Sequence, residues 1–133
     1  MKTCPVFFAG MLLLSSVSIA PAAVTLEWVT VGNAGNANDY TGYGGVGYEY
    51  QIMKYEVTNA QYAEFLNSVD AAGANPNGIY NDAMGSDVRG GINFTAGNAA
   101  GSKYAVKTDM GDKPVVYVSH LDAQRFANWI HNG

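Results

Sequence analysis

The sequence predicts an α+β domain of short strands and two amphipathic helices. Three observations predict it. Two segments, 25–31 and 48–57, alternate apolar and polar residues with a period of two. Two later segments carry apolar residues at i, i+3, i+4 and i+7 behind the capping residues Thr58 and Ser119. A long tract between them is so rich in Gly and Asn that only short elements fit.

Residues 1–23 read as a cleavable export signal. Lys2 supplies the positive start, an apolar core runs from Val6 to Leu14 and more weakly to Ile19, and Ala20-Pro21-Ala22-Ala23 offers small residues for cleavage near Ala23. A membrane anchor fits less well, because spanning the hydrocarbon takes about 20 apolar residues and this run is broken by Ser15, Ser16 and Ser18. The expected location of the product is therefore secreted or periplasmic. What remains, 24–133, has the size of one small domain or part of one.

Loss of Lys2 changes the balance from 7 basic against 11 acidic residues to 6 against 11, five net negative charges. Nucleic acid and anionic membrane surfaces are thereby excluded as expected partners. The one cysteine, Cys4, lies inside the expected signal, so the mature chain has no thiol for disulfides or thiol chemistry.

Within 25–31, Leu26, Trp28 and Thr30 alternate against Glu27 and Val29, as in a strand with one half-buried face. The stretch GNAGNANDYTGYGGVG, 32–47, is a loop. Residues 48–57, YEYQIMKYEV, resume strand periodicity, with Tyr48, Tyr50 and Ile52 opposite Met53, Tyr55 and Val57.

Thr58 followed three residues later by Gln61 forms a capping box, with Val57 and Tyr62 placed as a hydrophobic staple. Tyr62, Phe65, Leu66 and Val69 form one helical stripe, Glu64, Asn67 and Asp70 project elsewhere, and Gly73 ends the helix. Burying that stripe is worth roughly 6 to 12 kcal/mol before entropy, against ~1 kcal/mol for the cap, so packing holds the helix and the cap sets its start.

From Gly73 to Pro114 the best strand candidates are 91–95 and 103–107, paired as a hairpin across 96–102. A loop as long as the whole tract is expected to be functional or mobile. Val115-Val116-Tyr117-Val118 reads as a buried strand. Ser119 then caps a second helix with Ala123, Phe126, Ala127 and Ile130 inward and Gly133 as terminator.

No constellation makes a catalytic set. His120 and His131, eleven apart on one predicted helix, suit surface or capping roles better than zinc ligation. Ser119, His120 and Asp122 point apart at a helix start, so capping explains them and a nucleophilic triad does not. Gly42–Gly47 lacks the Gly-Lys-Ser/Thr ending of a phosphate loop. Asp82 and Asp87 lack the EF-hand spacing and suit solvated turns. Asn93-Phe94-Thr95 is a formal glycosylation sequon. The nine tyrosines could stack on carbohydrate, but their periodicity assigns most of them to the core.

Two segments, KYEVTNAQYAEFLNSV (54–69) and KPVVYVSHLDAQRFANWIHNG (113–133), resemble the formylglycine-generating-enzyme, or sulfatase-modifying-factor, family. The matching residues are Glu56-Val57-Thr58-Asn59, Pro114-Val115, Val118-Ser119, Asp122-Ala123 and Trp129. His120 departs from the tryptophan usual at its position. The opening 29–50 is similar to a bacterial exported branch of the same family.

The resemblance implies an irregular C-type-lectin-like fold, here incomplete, with 24–133 as the N-terminal part of the domain. It also implies oxygen-dependent oxidation of a sulfatase cysteine to formylglycine, with a copper-binding cysteine pair and calcium sites downstream of this stretch. Cys4 matches none of those positions, so no catalytic, cofactor-binding or metal residue is assigned, and the chain alone is expected to be inactive. The implied partner is a sulfatase or another exported polypeptide. The alternative is a non-catalytic exported binding module that holds a peptide or glycan on the same fold.

Overall fold

The computed structural model describes residues 24–132. The expected signal 1–23, Cys4 and the terminator Gly133 lie outside them. In chain order the elements are β1 (Trp28–Val31), β2 (Tyr50–Met53), α1 (Asn59–Val69), α2 (Ala83–Ser86), β3 (Ile92–Phe94), β4 (Tyr104–Val106) and α3 (His120–Asn132). No helix among the described residues is long and apolar enough to cross a membrane.

β1 and β2 form an antiparallel ribbon, with Trp28 opposite Met53 and Val31 opposite Tyr50. Both strands are shorter than their periodicity predicts: β1 begins at Trp28, and β2 stops at Met53, where the chain bends through Lys54 and Tyr55. The loop between them is held by its own amides. Asn36 donates from Nδ2 to the Gly44 carbonyl at 2.8 Å and accepts from Val46 N–H, while Asn38 Oδ1 accepts from Gly45 N–H.

Opposite residues in a pleated pair share a face, so Val29, Val31, Tyr50 and Ile52 lie on one side and Trp28, Thr30, Gln51 and Met53 on the other. Neither face joins the central core. On the face of 25–31 expected to be half-buried, Leu26 is partly buried, Trp28 is 50% exposed and Thr30 is exposed, and Ile52 on β2 is 51% exposed. The aromatic assignment also changes: Tyr40, Tyr43, Tyr48, Tyr50 and Tyr55 are exposed, while Tyr62, Tyr80 and Tyr104 are core.

α1 starts as its sequence requires. Gln61 N–H donates to Thr58 Oγ1 at 3.3 Å, and Thr58 N–H donates to Gln61 Oε1 at 3.0 Å, which completes the capping box. Val57 is partly buried against the cluster that contains Tyr62, as the staple predicts. Tyr62, Phe65 and Leu66 are buried and Ala63 joins them, but Val69, the last residue of the helix, is 48% exposed and lines a surface cavity with Phe65, Ile79 and Trp129.

The end itself falls at Asp70, earlier than Gly73, which instead takes a φ of 72° in the following turn. Asp70 does not project into solvent. Its carboxylate accepts N–H bonds from Ala74 at 2.9 Å and Asn75 at 2.8 Å, and a hydroxyl bond from Tyr104. Asn67 reaches the same strand, bonding both the N–H and the carbonyl of Tyr104.

The expected hairpin is present, with Ile92 opposite Val106 and Phe94 opposite Tyr104. The tract around it is not a loose loop. Ile79, Tyr80, Met84, Ile92 and Tyr104 belong to the buried core, and Tyr80, Phe94 and Tyr104 form a second aromatic group with centroids 5.2 to 6.0 Å apart. Asn75 folds the chain there by pairing its amide with both backbone groups of Tyr80. The short helix α2 has no apolar period to announce it.

Residues 115–118 are not a strand. Only Pro114 bridges Thr58, and Val115 N–H reaches the Val57 carbonyl at 2.9 Å. Tyr117 then takes a φ of 64°, a left-handed conformation that cannot continue a strand.

Ser119 caps α3, accepting from Asp122 N–H at 3.2 Å and donating to its carboxylate at 2.5 Å. The face turned inward is only part of the expected row: Phe126 is core and Ile130 packs partly buried against it. Asp122 and Phe126 are buried and Trp129 is partly so, whereas Ala123 and Ala127 are exposed. Phe126 lies 5.5 Å from Phe65 edge-to-face and 5.9 Å from Tyr62, and Trp129 packs 5.4 Å from Phe65. The two capped helices therefore bury aromatic rings against each other.

Asp70 makes the fold acid-sensitive. Burial pushes its carboxyl up, but the bonds from Tyr104, Asn75, Ala74 and Gly73 outweigh that and hold it below the usual 3.8. A depressed folded pKa contributes stability above the unfolded value that is lost as pH falls through the folded one. Thermal melts of the native chain should fall as pH drops below about 4, and Asp70→Asn should remove that part of the slope. Parallel melting curves for the two proteins across this range would refute the assignment.

Candidate functional site

α3 and the ribbon leave a groove between them, about 640 Å³ in volume. Leu26, Trp28 and Met53 line it from the ribbon side, Val57 and Tyr62 from the start of α1, and Val115 and Val118 from the connection to α3. The opposite wall is the outer row of α3: Ala123, Ala127, Ile130 and His131, with the edge of Phe126. The row that periodicity assigns to the core thus lines an open groove. Helical spacing shows that a face is apolar and does not say what covers it.

A second cleft of about 380 Å³ continues the first and shares Leu26 and Met53 with it. Its character is different. Thr25, Thr58 and Gln61 are polar, and Glu27, Glu56 and Asp112 supply three carboxylates with no basic residue in the lining. Lys54 engages Glu27 from outside the cleft at 2.8 Å, and its own pKa is raised by that bond. Among the described residues, Glu56 and Asp112 form no ion pair.

Asn59, one residue into α1, governs the floor beneath this cleft. Its side chain is wholly buried, and Nδ2 donates to the Met110 and Lys113 carbonyls, both at 2.9 Å. Its backbone N–H also reaches the Lys113 carbonyl at 2.9 Å. The 110–114 turn, which carries Asp112 into the cleft, is therefore tied to the helix by the Asn59 side-chain amide and by the backbone N–H groups of Asn59 and Ala60, the last reaching the Gly111 carbonyl at 3.1 Å. The sequence marks this residue only through the motif around it.

The other chemically suggestive residues do not converge. His120 and His131 are both exposed at opposite ends of α3. Ser119 and Asp122 meet only as a cap. Asp87 accepts from the Arg89 side chain at 3.2 Å and its N–H at 2.8 Å, which holds its carboxyl down at about 2, and Arg89 also donates to the Tyr117 hydroxyl at 2.7 Å. Gly42–Gly47 stays in the amide-held loop. Asn93 of the sequon is exposed on β3.

The residues do not fit the metals that the sequence resemblance implies. Copper held by a cysteine pair needs two thiolates, and the whole sequence has one cysteine, Cys4. Calcium needs six to eight oxygen ligands, and among the described residues no three His, Cys, Asp or Glu side chains gather at one point. Asp87, one of the two aspartates considered for it, faces nitrogen donors instead.

Comparison with protein families finds a match. The family model described as sulfatase-modifying factor enzyme 1-like domain matches residues 45–132, more than half of the chain. It takes in everything from the ribbon's second strand to the end of α3. No curated protein and no solved structure matches.

Proposed function

Because this chain belongs to the sulfatase-modifying factor enzyme 1-like family, we propose that it is the N-terminal portion of a formylglycine-generating-enzyme-like domain. In this reading its role is that of a packed platform and one wall of a groove, within an irregular C-type-lectin-like fold, exported in a bacterium and directed at a sulfatase or another exported polypeptide. The family match across 45–132 carries the reading.

Oxidation of a substrate cysteine by the family's chemistry calls for a copper-binding cysteine pair, which Cys4 alone does not make. The reactive sulfur, and with it copper, is assigned to polypeptide other than this chain. The 133-residue chain, supplied with copper, oxygen and a sulfatase-motif peptide, is expected to yield no aldehyde in a hydrazide-capture mass measurement. Aldehyde product above the protein-free control would overturn this part of the reading.

The open groove favours a second reading, in which the chain is a binding module on the same fold without catalysis. Its apolar wall, unfilled by any described residue, supports a role in holding another molecule.

A further inference from the structure

We propose that Asn77 is a self-modifying site, whose side-chain amide is lost to attack by the backbone nitrogen of Gly78, so that the residue becomes aspartate or isoaspartate. The inference is independent of both readings of the groove and needs no partner other than water.

Sequence supplies the reactive pair and the fold leaves it free to react. In the whole sequence only Asn77 and Asn132 precede a glycine, the residue that crowds its own backbone nitrogen least, and Gly133 lies outside the described residues. Asn77 and Gly78 are both exposed. A Cβ built on Gly78 would meet nothing within 4 Å, so no packed neighbour blocks the approach. One restraint has to open: the Gly78 N–H donates to the Asn75 carbonyl at 3.1 Å, a surface bond of the kind that opens locally at little cost.

Other asparagines are held. Asn36, Asn67, Asn75 and Asn98 each donate from Nδ2 to a backbone carbonyl, and Asn59 is buried with its amide on the Met110 and Lys113 carbonyls. The side chain of Asn77 makes no hydrogen bond among the described residues.

The step balances without an oxidant or reductant. Hydroxide takes the Gly78 N–H proton, the nitrogen bonds to the Asn77 Cγ, and the Cγ–Nδ2 bond breaks to release ammonia, which draws its proton from water. Water then opens the succinimide. Addition at Cγ breaks the new bond and gives aspartate; addition at the Asn77 backbone carbonyl carbon breaks the original peptide bond and gives isoaspartate.

Either product brings a carboxylate to the cavity of about 260 Å³ that Asn77 lines with Arg125, Asn128 and Trp129. Isoaspartate also adds a backbone methylene to the turn in which Asn75 pairs both backbone groups of Tyr80 and the Ile79 carbonyl accepts from the Tyr62 hydroxyl at 2.9 Å. A surface reaction therefore reaches the core.

The test ages the whole chain at physiological temperature in buffers from about pH 7 to about pH 9, then maps amide loss by tandem mass spectrometry of its digest. Among residues 24–128 the loss should appear first at Asn77, and it should rise about in proportion to hydroxide, because the attacking nitrogen must shed its proton. An isoaspartyl methyltransferase should label the aged chain. Gly78→Ala should slow the loss about tenfold or more; if alanine at this φ of 64° prevents folding, the map and the pH dependence of the native chain decide.

Aged chain, separated from fresh chain by its extra negative charge, should exchange amide hydrogens faster at 75–80, whereas Asn77→Asp, which adds the charge without the methylene, should not. An intact Asn77 amide when Asn33 or Asn98 has already changed, a rate indifferent to pH, or a folded Gly78→Ala chain that ages as fast as the native one would overturn the proposal. Equal exchange at 75–80 in aged and fresh chains would overturn the route from the turn to the core.

Discussion

Phe65→Ala should lower the unfolding free energy by about 3 to 5 kcal/mol, the largest loss expected of any single truncation in the chain. The ring is 1% exposed and packs on three aromatic neighbours: Tyr62 at 5.3 Å, Phe126 at 5.5 Å and Trp129 at 5.4 Å. Truncation removes the transfer free energy of the ring and leaves a cavity between two helices that cannot both collapse onto it. Edge-to-face and tilted aromatic pairs add about 0.5 to 1.5 kcal/mol each beyond burial.

A domain of this size has about 5 to 15 kcal/mol in total, so the variant should be largely unfolded near physiological temperature. Thr58→Ala, which removes only the cap, should cost about 1 kcal/mol. Denaturant titrations of the two variants separate packing from capping. A loss below that of Thr58→Ala for the phenylalanine would show that the helix interface is not the centre of the core.

Asn59→Ala should cost about 2 to 4 kcal/mol, although it deletes only a polar side chain. The Met110 and Lys113 carbonyls each lose the Asn59 side-chain amide, and the turn that carries Asp112 is left tied to α1 through the backbone N–H groups of Asn59 and Ala60. Gly91 gives an independent check on the same site. A Cβ there would stand 2.3 Å from Asn59 Cγ and 2.5 Å from its Oδ1, so Gly91→Ala must displace the amide, although the backbone of Gly91 has no positive φ to protect.

Hydrogen exchange should report increased opening of residues 110–114 in both variants, ahead of global unfolding. Asn59→Asp is informative as well: it keeps the size but turns a donor into an acceptor facing two carbonyls, and should be no better tolerated than alanine. Unchanged protection of the turn in all three would sink the role given to Asn59.

Local chemistry made several elements legible in advance. The Thr58 and Gln61 box and the Ser119 cap depend on residues three apart, and each forms as its spacing requires. The hairpin of β3 and β4 follows from turn residues between two short apolar runs. Burial of Phe65 and Phe126 follows from helical spacing, since an aromatic stripe on a capped helix must meet another surface.

Other features had no local cause. Val115 to Val118 has strand composition, but Tyr117 adopts a left-handed φ that no apolar run foretells. Asp70 and Asn67 read as solvent-facing from their position on the helix, and both are recruited by a strand nearly forty residues on. α2 is too short for any period. Ala123, Ala127 and Ile130 share one stripe with Phe126, and only the direction in which α3 lies on α1 puts the phenylalanine inside and the alanines on the groove.

The sequence by itself determined the helix starts, the hairpin, the family and the shortage of thiols, because each depends on residue identity at short separations or on a count. Tertiary structure alone decided which apolar rows are covered, which polar side chains are buried, and that apolar and acidic cavities meet at Leu26 and Met53. The reason is physical: hydrophobic burial has no direction of its own, so a stripe specifies that it must pack and leaves to distant contacts the choice of partner.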